Sequence, residues 1–197
     1  MTKYSIRKSA LAKRKAMSPE EVAQKSAQIC TQFLSHIVLK DIHAIHIFLP
    51  ITHQNEVNTF LLIEKLRILH PTIHIIVPKI IKGTNEMLAI PFTKDCDIFI
   101  NEWGIPEPSH QQIFDPKKID LIIVPLLAFD LKGHRIGYGR GFYDKFLDAC
   151  QPQILKIGLA FDTPTTEILA IESHDKPMDF IICPDHVYHI TKKNPDV

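Results

Sequence analysis

The sequence has few cysteines, no long apolar run and almost no net charge, and each of these features narrows the classes of protein to which it can belong. The four cysteines lie far apart and form no C-x-x-C pair, which argues against a zinc knuckle or a thioredoxin-like motif. No apolar run approaches the roughly 18 residues that a membrane-spanning helix needs, and the N-terminus is polar, unlike a signal peptide. The formal net charge is +1, so no overall attraction to nucleic acid or to membranes is expected. We therefore predict a cytoplasmic protein with neither a nucleic-acid nor a membrane partner.

Glycine is also scarce, but its distribution is uneven. Four of the seven glycines lie within residues 133–141, together with Arg135 and Arg140; this segment is called the glycine loop below. Residues 121–127 before it form an apolar run that is typical of a strand buried on both faces of a parallel sheet. Residues 142–147 after it are predicted to begin a helix.

This order of strand, basic glycine loop and helix predicts an anion-binding site. Glycine lets the backbone approach a ligand closely, and consecutive N–H groups and a helix N-terminus attract negative charge. Arginine pairs with phosphate or carboxylate oxygens in a fork. The glycine spacing fits neither G-x-G-x-x-G nor the P-loop. On these residues alone, a glycine-rich surface turn with solvated arginines stays open as the alternative.

The glycine loop and its flanks resemble the signature of the 5-formyltetrahydrofolate cyclo-ligases (5,10-methenyltetrahydrofolate synthetases). The matching residues are Val124, Pro125, Ala128, Phe129, Asp130, Gly133, Arg135 through Asp144, Phe146 and Leu147. Further matches lie along the chain, at Lys3, Arg7, Ile51, Glu56, Gly104 through Pro108 (which we expect to frame the rim of the site), His174, Asp175 and Asp179.

The resemblance implies an ATP-dependent cyclisation of 5-formyltetrahydrofolate to 5,10-methenyltetrahydrofolate, with Mg²⁺ as cofactor and with ADP and phosphate released. It implies small-molecule partners only, ATP and the folate, and a monomer is expected. The residues that it assigns to ATP are Lys3, Arg7, Gly133, Arg135, Ile136, Gly137, Tyr138, Gly139, Arg140, Gly141, Phe142 and Tyr143. The residues that it assigns to the folate are Ile51, Glu56, Tyr138 and Phe142. The implied catalytic residues are Lys3, Arg135 and Arg140, and the implied magnesium ligands are Asp144 and Asp179.

Several of these residues also have a structural explanation that the sequence leaves open. A solvated basic helix accounts for Lys3 and Arg7. A favourable carboxylate in the first turn of a helix accounts for Glu56, and a turn or capping role accounts for Asp179. Trp103 is compatible with hydrophobic cover as well as with stacking on a ligand.

The hydrophobic pattern predicts a single α/β domain over residues 1–197, with residues 190–197 as a frayed tail. Strands are predicted at residues 44–49, 73–77, 87–91, 98–100, 121–127, 154–160 and 180–183. A helix is predicted after a capping box at Ser18 and Glu21, and another over residues 55–69, capped by Asn55. Pro78 is expected to end the second strand. The alternation predicts a Rossmann-like, doubly wound and largely parallel open sheet with helices on both faces, whose ligands bind beyond the carboxyl ends of the strands.

Two rival functions remain at this level. One is another ATP-binding α/β enzyme that has no folate substrate, against which Glu56 argues. The other is a non-enzymatic RNA- or partner-binding module that uses the basic N-terminus, and its affinity would fall steeply with salt. The balanced net charge argues against the second.

Overall fold

The computed structural model describes residues 2–165, 167–168 and 175–190, and within them helices alternate with strands as the pattern predicts. The helices are α1 (Lys3–Ala16), α2 (Pro19–His36), α3 (Phe60–Leu69) and α4 (Phe142–Ala149). The strands are β1 (Ala44–Ile47), β2 (His74–Ile80), β3 (Met87–Pro91), β4 (Ile98–Ile100), β5 (Pro106–Pro108), β6 (Leu121–Pro125), β7 (Ala128–Phe129), β8 (Arg135–Ile136), β9 (Leu155–Leu159), β10 (Phe180–Ile182) and β11 (Val187–His189).

Seven strands form one sheet in the order β11-β10-β9-β6-β1-β2-β3. The five inner strands are parallel to one another, whereas β3 and β11 run antiparallel to their neighbours at the two edges. The strands β4 and β5 pair separately, as do β7 and β8. The α/β class and the largely parallel sheet are therefore confirmed. No helix in the described part of the chain is both long and apolar enough to cross a membrane.

Helices cover both faces of the sheet, because successive side chains of a strand point to opposite faces. On one face, Phe33 of α2 and Leu66 of α3 belong to the same apolar cluster as Ile45 of β1. On the other face, Phe146 of α4 packs in a second cluster with Ile122 of β6. This two-sided cover confirms the doubly wound arrangement.

The helix α1 folds back against the β7–β8 pair, which the sequence could not show. Ile6 is buried in a small cluster with Ile136 of β8. The Arg7 Nε donates to the Gly137 carbonyl oxygen at 2.8 Å. The basic face of α1 therefore lies against the glycine loop.

The predicted start of the second sheet-covering helix is wrong. Asn55 does not cap a helix, because α3 begins five residues later, at Phe60. Asn55 instead adopts a left-handed conformation with φ of 51° after the 3-10 turn Thr52–Gln54. Its Nδ2 donates to the carbonyl oxygens of Arg14 (2.9 Å) and Met17 (3.1 Å). Asparagine tolerates this conformation because its side chain can satisfy nearby backbone groups, and here those groups belong to the end of α1.

The sequence predicted that Pro78 ends the second strand, and this prediction is wrong. The strand β2 pairs with β1 only as far as Ile76 and continues along β3 to Ile80. The Ile80 N–H donates to Glu107 at 2.9 Å, on the side where β1 has already ended. A donor at position 78 would face that same side, so proline removes no hydrogen bond from the ladder.

Three smaller differences concern short elements. The strand β5 at residues 106–108, the edge strand β11 and the β7–β8 pair were not predicted. For residues 163–168 the sequence pattern predicts a loop that leads into a short helix, but this segment falls partly outside the described residues. His174 and the tail from residue 191 lie wholly outside them. Ile190 is described, and its N–H donates to the Asp179 carbonyl oxygen at 2.9 Å.

Candidate active site

A cleft of about 800 Å³ opens at the carboxyl ends of β1, β2 and β6. This is the edge at which a doubly wound sheet is expected to bind its ligands. Four further segments complete its walls: α1, the loop after β1, the connection between β4 and β5, and the glycine loop with the first turn of α4.

The glycine loop holds its backbone against α1. Gly139 has φ of +88°, and a Cβ at this position would lie 3.0 Å from the Arg7 guanidinium carbon. The backbone conformation therefore favours glycine here, and a Cβ would push the Arg7 guanidinium aside by a few tenths of an ångström. Gly141 precedes α4, and no side chain in the described residues caps this helix. The N–H groups of the first turn of α4 thus stay available to an anionic ligand.

Arg135 and Asp144 form an ion pair at the base of this loop. The Arg135 Nη2 lies 2.6 Å from the Asp144 Oδ1, and the Arg135 Nη1 donates to the Lys176 carbonyl oxygen. The Arg135 side chain is largely buried, whereas that of Asp144 keeps 21% of its surface exposed. Asp144 therefore presents a carboxylate to the cleft from the first turn of α4.

Two more cations reach the cleft from opposite walls. The Lys3 Nζ lies 2.6 Å from the Asp175 Oδ2, and both side chains are partly exposed. The Arg140 guanidinium carbon lies 5.3 Å from the centre of the Trp103 ring. This distance allows a cation–π interaction, so Trp103 and Arg140 connect two walls of the cleft.

Glu56 is a buried carboxylate that also lines the cleft. It is only 4% exposed, and its Oε2 accepts from the Ile51 N–H at 2.7 Å. Burial raises the pKa of Glu56, while the Ile51 N–H, the nearby Arg14 charge and a hydrogen bond with the Tyr138 side chain act to lower the pKa. The sequence had placed Glu56 in the first turn of a helix, but it lies in the loop before α3. The helix-dipole explanation for this carboxylate therefore fails.

The connection between β4 and β5 closes one side of the cleft with Trp103 and Ile105. Its base is tied to the sheet by Glu107, which is 4% exposed. One Glu107 oxygen accepts from the Ile80 N–H and from the Asn101 Nδ2, both at 2.9 Å. The glutamate of the Gly104–Pro108 match is therefore an anchor for the rim rather than a group that faces the ligand.

The structure brings most of the predicted site residues to this single cleft. These are Lys3, Arg7, Ile51, Glu56, Arg135, Ile136, Gly137, Tyr138, Gly139, Arg140, Gly141, Phe142, Tyr143 and Asp144.

Two predicted site residues lie elsewhere. Gly133 is in the turn between β7 and β8, where its carbonyl oxygen accepts from the Met178 N–H at 2.9 Å. Asp179 precedes β10 and so lies at the amino end of the parallel strands, opposite to the cleft. Its Oδ2 lies 2.7 Å from the Lys156 Nζ and accepts from the Lys156 N–H at 2.8 Å. The structural explanation for Asp179 agrees with this placement, and the magnesium role does not.

The sequence missed several residues that line the cleft. Lys15 extends the face of α1 that carries Lys3 and Arg7, and its spacing of four residues from Leu11 could have revealed it. His53 and Gln54 belong to a 3-10 turn that the pattern did not predict. The buried Arg14 points to a different side of α1, and no sequence signal marked it.

The fold and the site together define a class. A doubly wound sheet carries, at its carboxyl edge, a cleft that combines a basic glycine-rich loop with a buried carboxylate. Such a cleft is typical of an α/β enzyme that brings a phosphate-bearing ligand next to a second, polar small molecule.

The particular family follows from the comparison with known proteins. The model of the 5-formyltetrahydrofolate cyclo-ligase family matches residues 1–184, and the chain belongs to this family of ligases. The 5-formyltetrahydrofolate cyclo-ligase of Mycoplasma pneumoniae is 31% identical over 189 residues, which are 92% of this chain and 98% of that protein. The Escherichia coli (strain K12) enzyme is 27% identical over 184 residues, 89% of this chain and 97% of its own length. The structure also resembles the 5,10-methenyltetrahydrofolate synthetase of Aquifex aeolicus, with a TM-score of 0.80, 28% identity and coverage of 98% of this chain and 95% of that one.

Proposed function

We propose that this protein catalyses the ATP- and Mg²⁺-dependent cyclisation of 5-formyltetrahydrofolate to 5,10-methenyltetrahydrofolate, with release of ADP and phosphate. The observation that carries the proposal is the pairing, in one cleft, of a basic glycine loop with a buried glutamate. The names of the relatives supply the substrate, and the chemistry of the cleft fits it. We also keep the expectations of a monomer and of a cytoplasmic location as predictions.

The basic end of the cleft suits the triphosphate of ATP. Lys3, Arg7, Arg135 and Arg140 all line it, and arginine forks and a lysine point charge are the usual partners of phosphate oxygens. The backbone N–H groups of the glycine loop and the first turn of α4 add uncharged donors. Phosphoryl transfer depends mainly on such charge neutralisation and alignment.

The region of the cleft around Glu56 suits the pterin ring of the folate. The pterin edge carries adjacent N–H donors, and a carboxylate such as Glu56 can accept two of them side by side. Ile51, Tyr138 and Phe142 line the cleft nearby and offer apolar and aromatic surface for the ring.

The reaction proceeds in two steps that this arrangement can support. The formyl oxygen attacks the γ-phosphorus of ATP, the bond to ADP breaks, and the formyl carbon becomes strongly electrophilic. The N10 nitrogen then attacks this carbon, loses its proton, and the phosphorylated oxygen leaves as inorganic phosphate. Charges that develop on the transferred phosphoryl group would be stabilised by Arg135, Arg140 and Lys3, which all line the cleft.

The residues of the cleft fit a magnesium ion bound jointly with ATP. Mg²⁺ in such sites takes only one or two protein carboxylates, with phosphates and water as its other ligands. Asp144, whose carboxylate faces the cleft, would hold it. The described residues contain no group of three His, Cys, Asp or Glu side chains able to bind a metal ion on their own. The ion would neutralise phosphate charge in the bound state.

The path of the formyl oxygen tests this proposal. With the formyl oxygen labelled as ¹⁸O, a complete reaction with ATP and Mg²⁺ should transfer the label into the released inorganic phosphate. Cyclisation in which the label appears in water, or cyclisation that proceeds equally without ATP, would contradict the mechanism.

A further inference from the structure

We propose that Arg14 is a positioning residue for the folate, which holds Tyr138 and Glu56 in their binding arrangement through a one-way chain of hydrogen bonds. The inference rests on the proposed function, because it concerns the residues that would bind the pterin ring. It adds a residue outside the wall of the cleft, which the sequence did not indicate.

Arg14 is held in a buried position where three segments meet. It lies in the last turn of α1 and is only 7% exposed. Its Nη1 donates to the Tyr138 hydroxyl at 3.1 Å, and its Nη2 donates to the Leu126 carbonyl oxygen just beyond β6. The planar guanidinium fixes the relative positions of these two acceptors, so Arg14 connects α1, the glycine loop and the end of β6.

The direction of each hydrogen bond follows from the donors and acceptors involved. A guanidinium has donors only, so the Tyr138 hydroxyl must accept from Arg14. The hydroxyl proton then points away from Arg14 and is available to the nearby Glu56 carboxylate, whose pKa the Tyr138 hydroxyl acts to lower. The second donor to Glu56 is the Ile51 N–H at 2.7 Å. The chain therefore runs from the Arg14 charge through Tyr138 to the carboxylate.

The backbone of Arg14 is also anchored to the loop that carries Glu56. The Asn55 Nδ2 donates to the Arg14 carbonyl oxygen at 2.9 Å. Asn55 is the residue next to Glu56. This contact therefore also ties the backbone of Arg14 to the loop that carries Glu56. A shift of Arg14 would consequently move both partners of the pterin.

The charge of Arg14 matters because Glu56 is buried. The groups that face Glu56 are Arg14 from α1, Tyr138 from the glycine loop, Tyr143 from α4 and the Ile51 N–H. Arg14 is the cation among them, and its charge lowers a Glu56 pKa that burial raises. Without Arg14, the carboxylate would take up a proton at a higher pH and would lose one of its two acceptor positions for the pterin.

The test is the variant Arg14→Met, which keeps an unbranched side chain but removes the charge and the fork. The KM for 5-formyltetrahydrofolate should rise about tenfold, the order expected for loss of a hydrogen-bond system that involves charge, while the KM for ATP changes less than about twofold. The folate KM of the variant should also depend more steeply on pH than that of the wild type, because without the Arg14 charge Glu56 takes up a proton at a higher pH. In a Glu56→Gln background the same substitution should have little additional effect.

A matched control is Arg67→Met on α3. Arg67 also donates to backbone carbonyl oxygens, those of Phe92 (2.6 Å) and Thr93 (3.0 Å), but away from the cleft. It should lower stability without changing either KM or the pH profile. If Arg14→Met behaves like Arg67→Met, Arg14 is merely structural and the inference is wrong.

Two further outcomes are distinguishable. If the wild-type protein is folded but gives no ATP-dependent turnover of 5-formyltetrahydrofolate, the proposed function fails. If Arg14→Met does not fold, Tyr138→Phe breaks the same chain at its middle and should produce the same selective rise in folate KM. A wild-type folate KM in Tyr138→Phe would overturn the inference.

Discussion

At the scale of single residues, two buried polar side chains lie beneath the cleft without satisfied hydrogen bonds. Both ring nitrogens of His46 and the Tyr143 hydroxyl are buried and have no partner among the described residues. The His46 ring packs edge-on against Tyr143, with ring centres 6.0 Å apart. It also packs against Phe146 in a tilted arrangement, with ring centres 4.7 Å apart. A catalytic role for His46 finds no support in these contacts, which are those of a core residue.

The burial of His46 predicts an acid-sensitive fold. Burial lowers the pKa of His46 from its ordinary value of 6.5 to about 3. Its contribution to stability is therefore complete above pH 6.5 and is lost as the pH falls from 6.5 toward 3, because only the unfolded chain binds the proton. At about pH 5 the expected loss is on the order of 2 kcal/mol.

We therefore predict that His46→Leu reduces the loss of stability between about pH 7.5 and about pH 5 by this amount. At the higher pH the variant should be at least as stable as the wild type, because two unsatisfied nitrogens are removed. Urea unfolding at the two pH values measures both effects, and His36→Leu, at an exposed position, is the control. An unchanged pH dependence in His46→Leu would show that His46 is not the group responsible.

A substitution at Asp144 tests the proposed phosphate-binding region of the cleft. Asp144→Ala should lower turnover by at least about 100-fold, because the variant loses both the proposed Mg²⁺ ligand and the partner that orients Arg135. The loss of stability should stay near about 1–2 kcal/mol, the range of a partly exposed ion pair at a helix N-terminus. Steady-state kinetics and urea unfolding of the same preparation give the two numbers.

The control for Asp144 lies one turn further along α4. Asp148 forms an ion pair at 2.9 Å with the Lys176 Nζ, and its side chain is 56% exposed. Asp148→Ala should leave turnover within about twofold of the wild type. If the loss of turnover is only proportional to the loss of stability in both variants, Asp144 has only a structural role.

At the scale of structural elements, the glycine loop and α1 act as one unit, because Arg7 occupies the space beside Gly139. A Cβ at Gly139 would displace the Arg7 guanidinium, whereas a Cβ at Gly141 would meet nothing within 4 Å. Both glycines have positive φ, +88° and +72°, so alanine imposes a similar backbone strain at either position, about 1–2 kcal/mol.

Gly139→Ala should consequently raise the KM for ATP about tenfold more than Gly141→Ala does, at a comparable loss of stability. The comparison separates the strain of the loop from the displacement of Arg7. Equal KM values for ATP in the two variants would show that the contact between Arg7 and Gly139 does not contribute to nucleotide binding.

The elements also show what the sequence could and could not reveal. Buried parallel strands such as β6 are continuous apolar runs, so the sheet was predictable, and the glycine loop was marked by its composition. The position of Asp179 was predictable too, since a residue directly before a parallel strand lies at the edge opposite to the ligand site. Arg14 was not, because its partners lie 112 and 124 residues away and only the folding back of α1 brings them together.

At the scale of the whole molecule, the sheet brings together the two sites that the proposed reaction requires to be adjacent. The strands β1 and β6 are direct neighbours. The loop after β1 carries Glu56, and the segment after β6 leads into the glycine loop. Because both strands end at the same edge, the proposed pterin and phosphate sites share one cleft, and α1 lines it with Lys3, Arg7 and Lys15.

The measurement that tests the central claim most directly is the absorbance of the methenyl-folate band after the protein is mixed with 5-formyltetrahydrofolate, ATP and Mg²⁺. The account predicts a rise that requires all three components, that stops when EDTA is added and resumes with excess Mg²⁺, and that is matched by one ADP for each methenyl product. No rise from folded protein that still binds ATP would contradict the folate assignment.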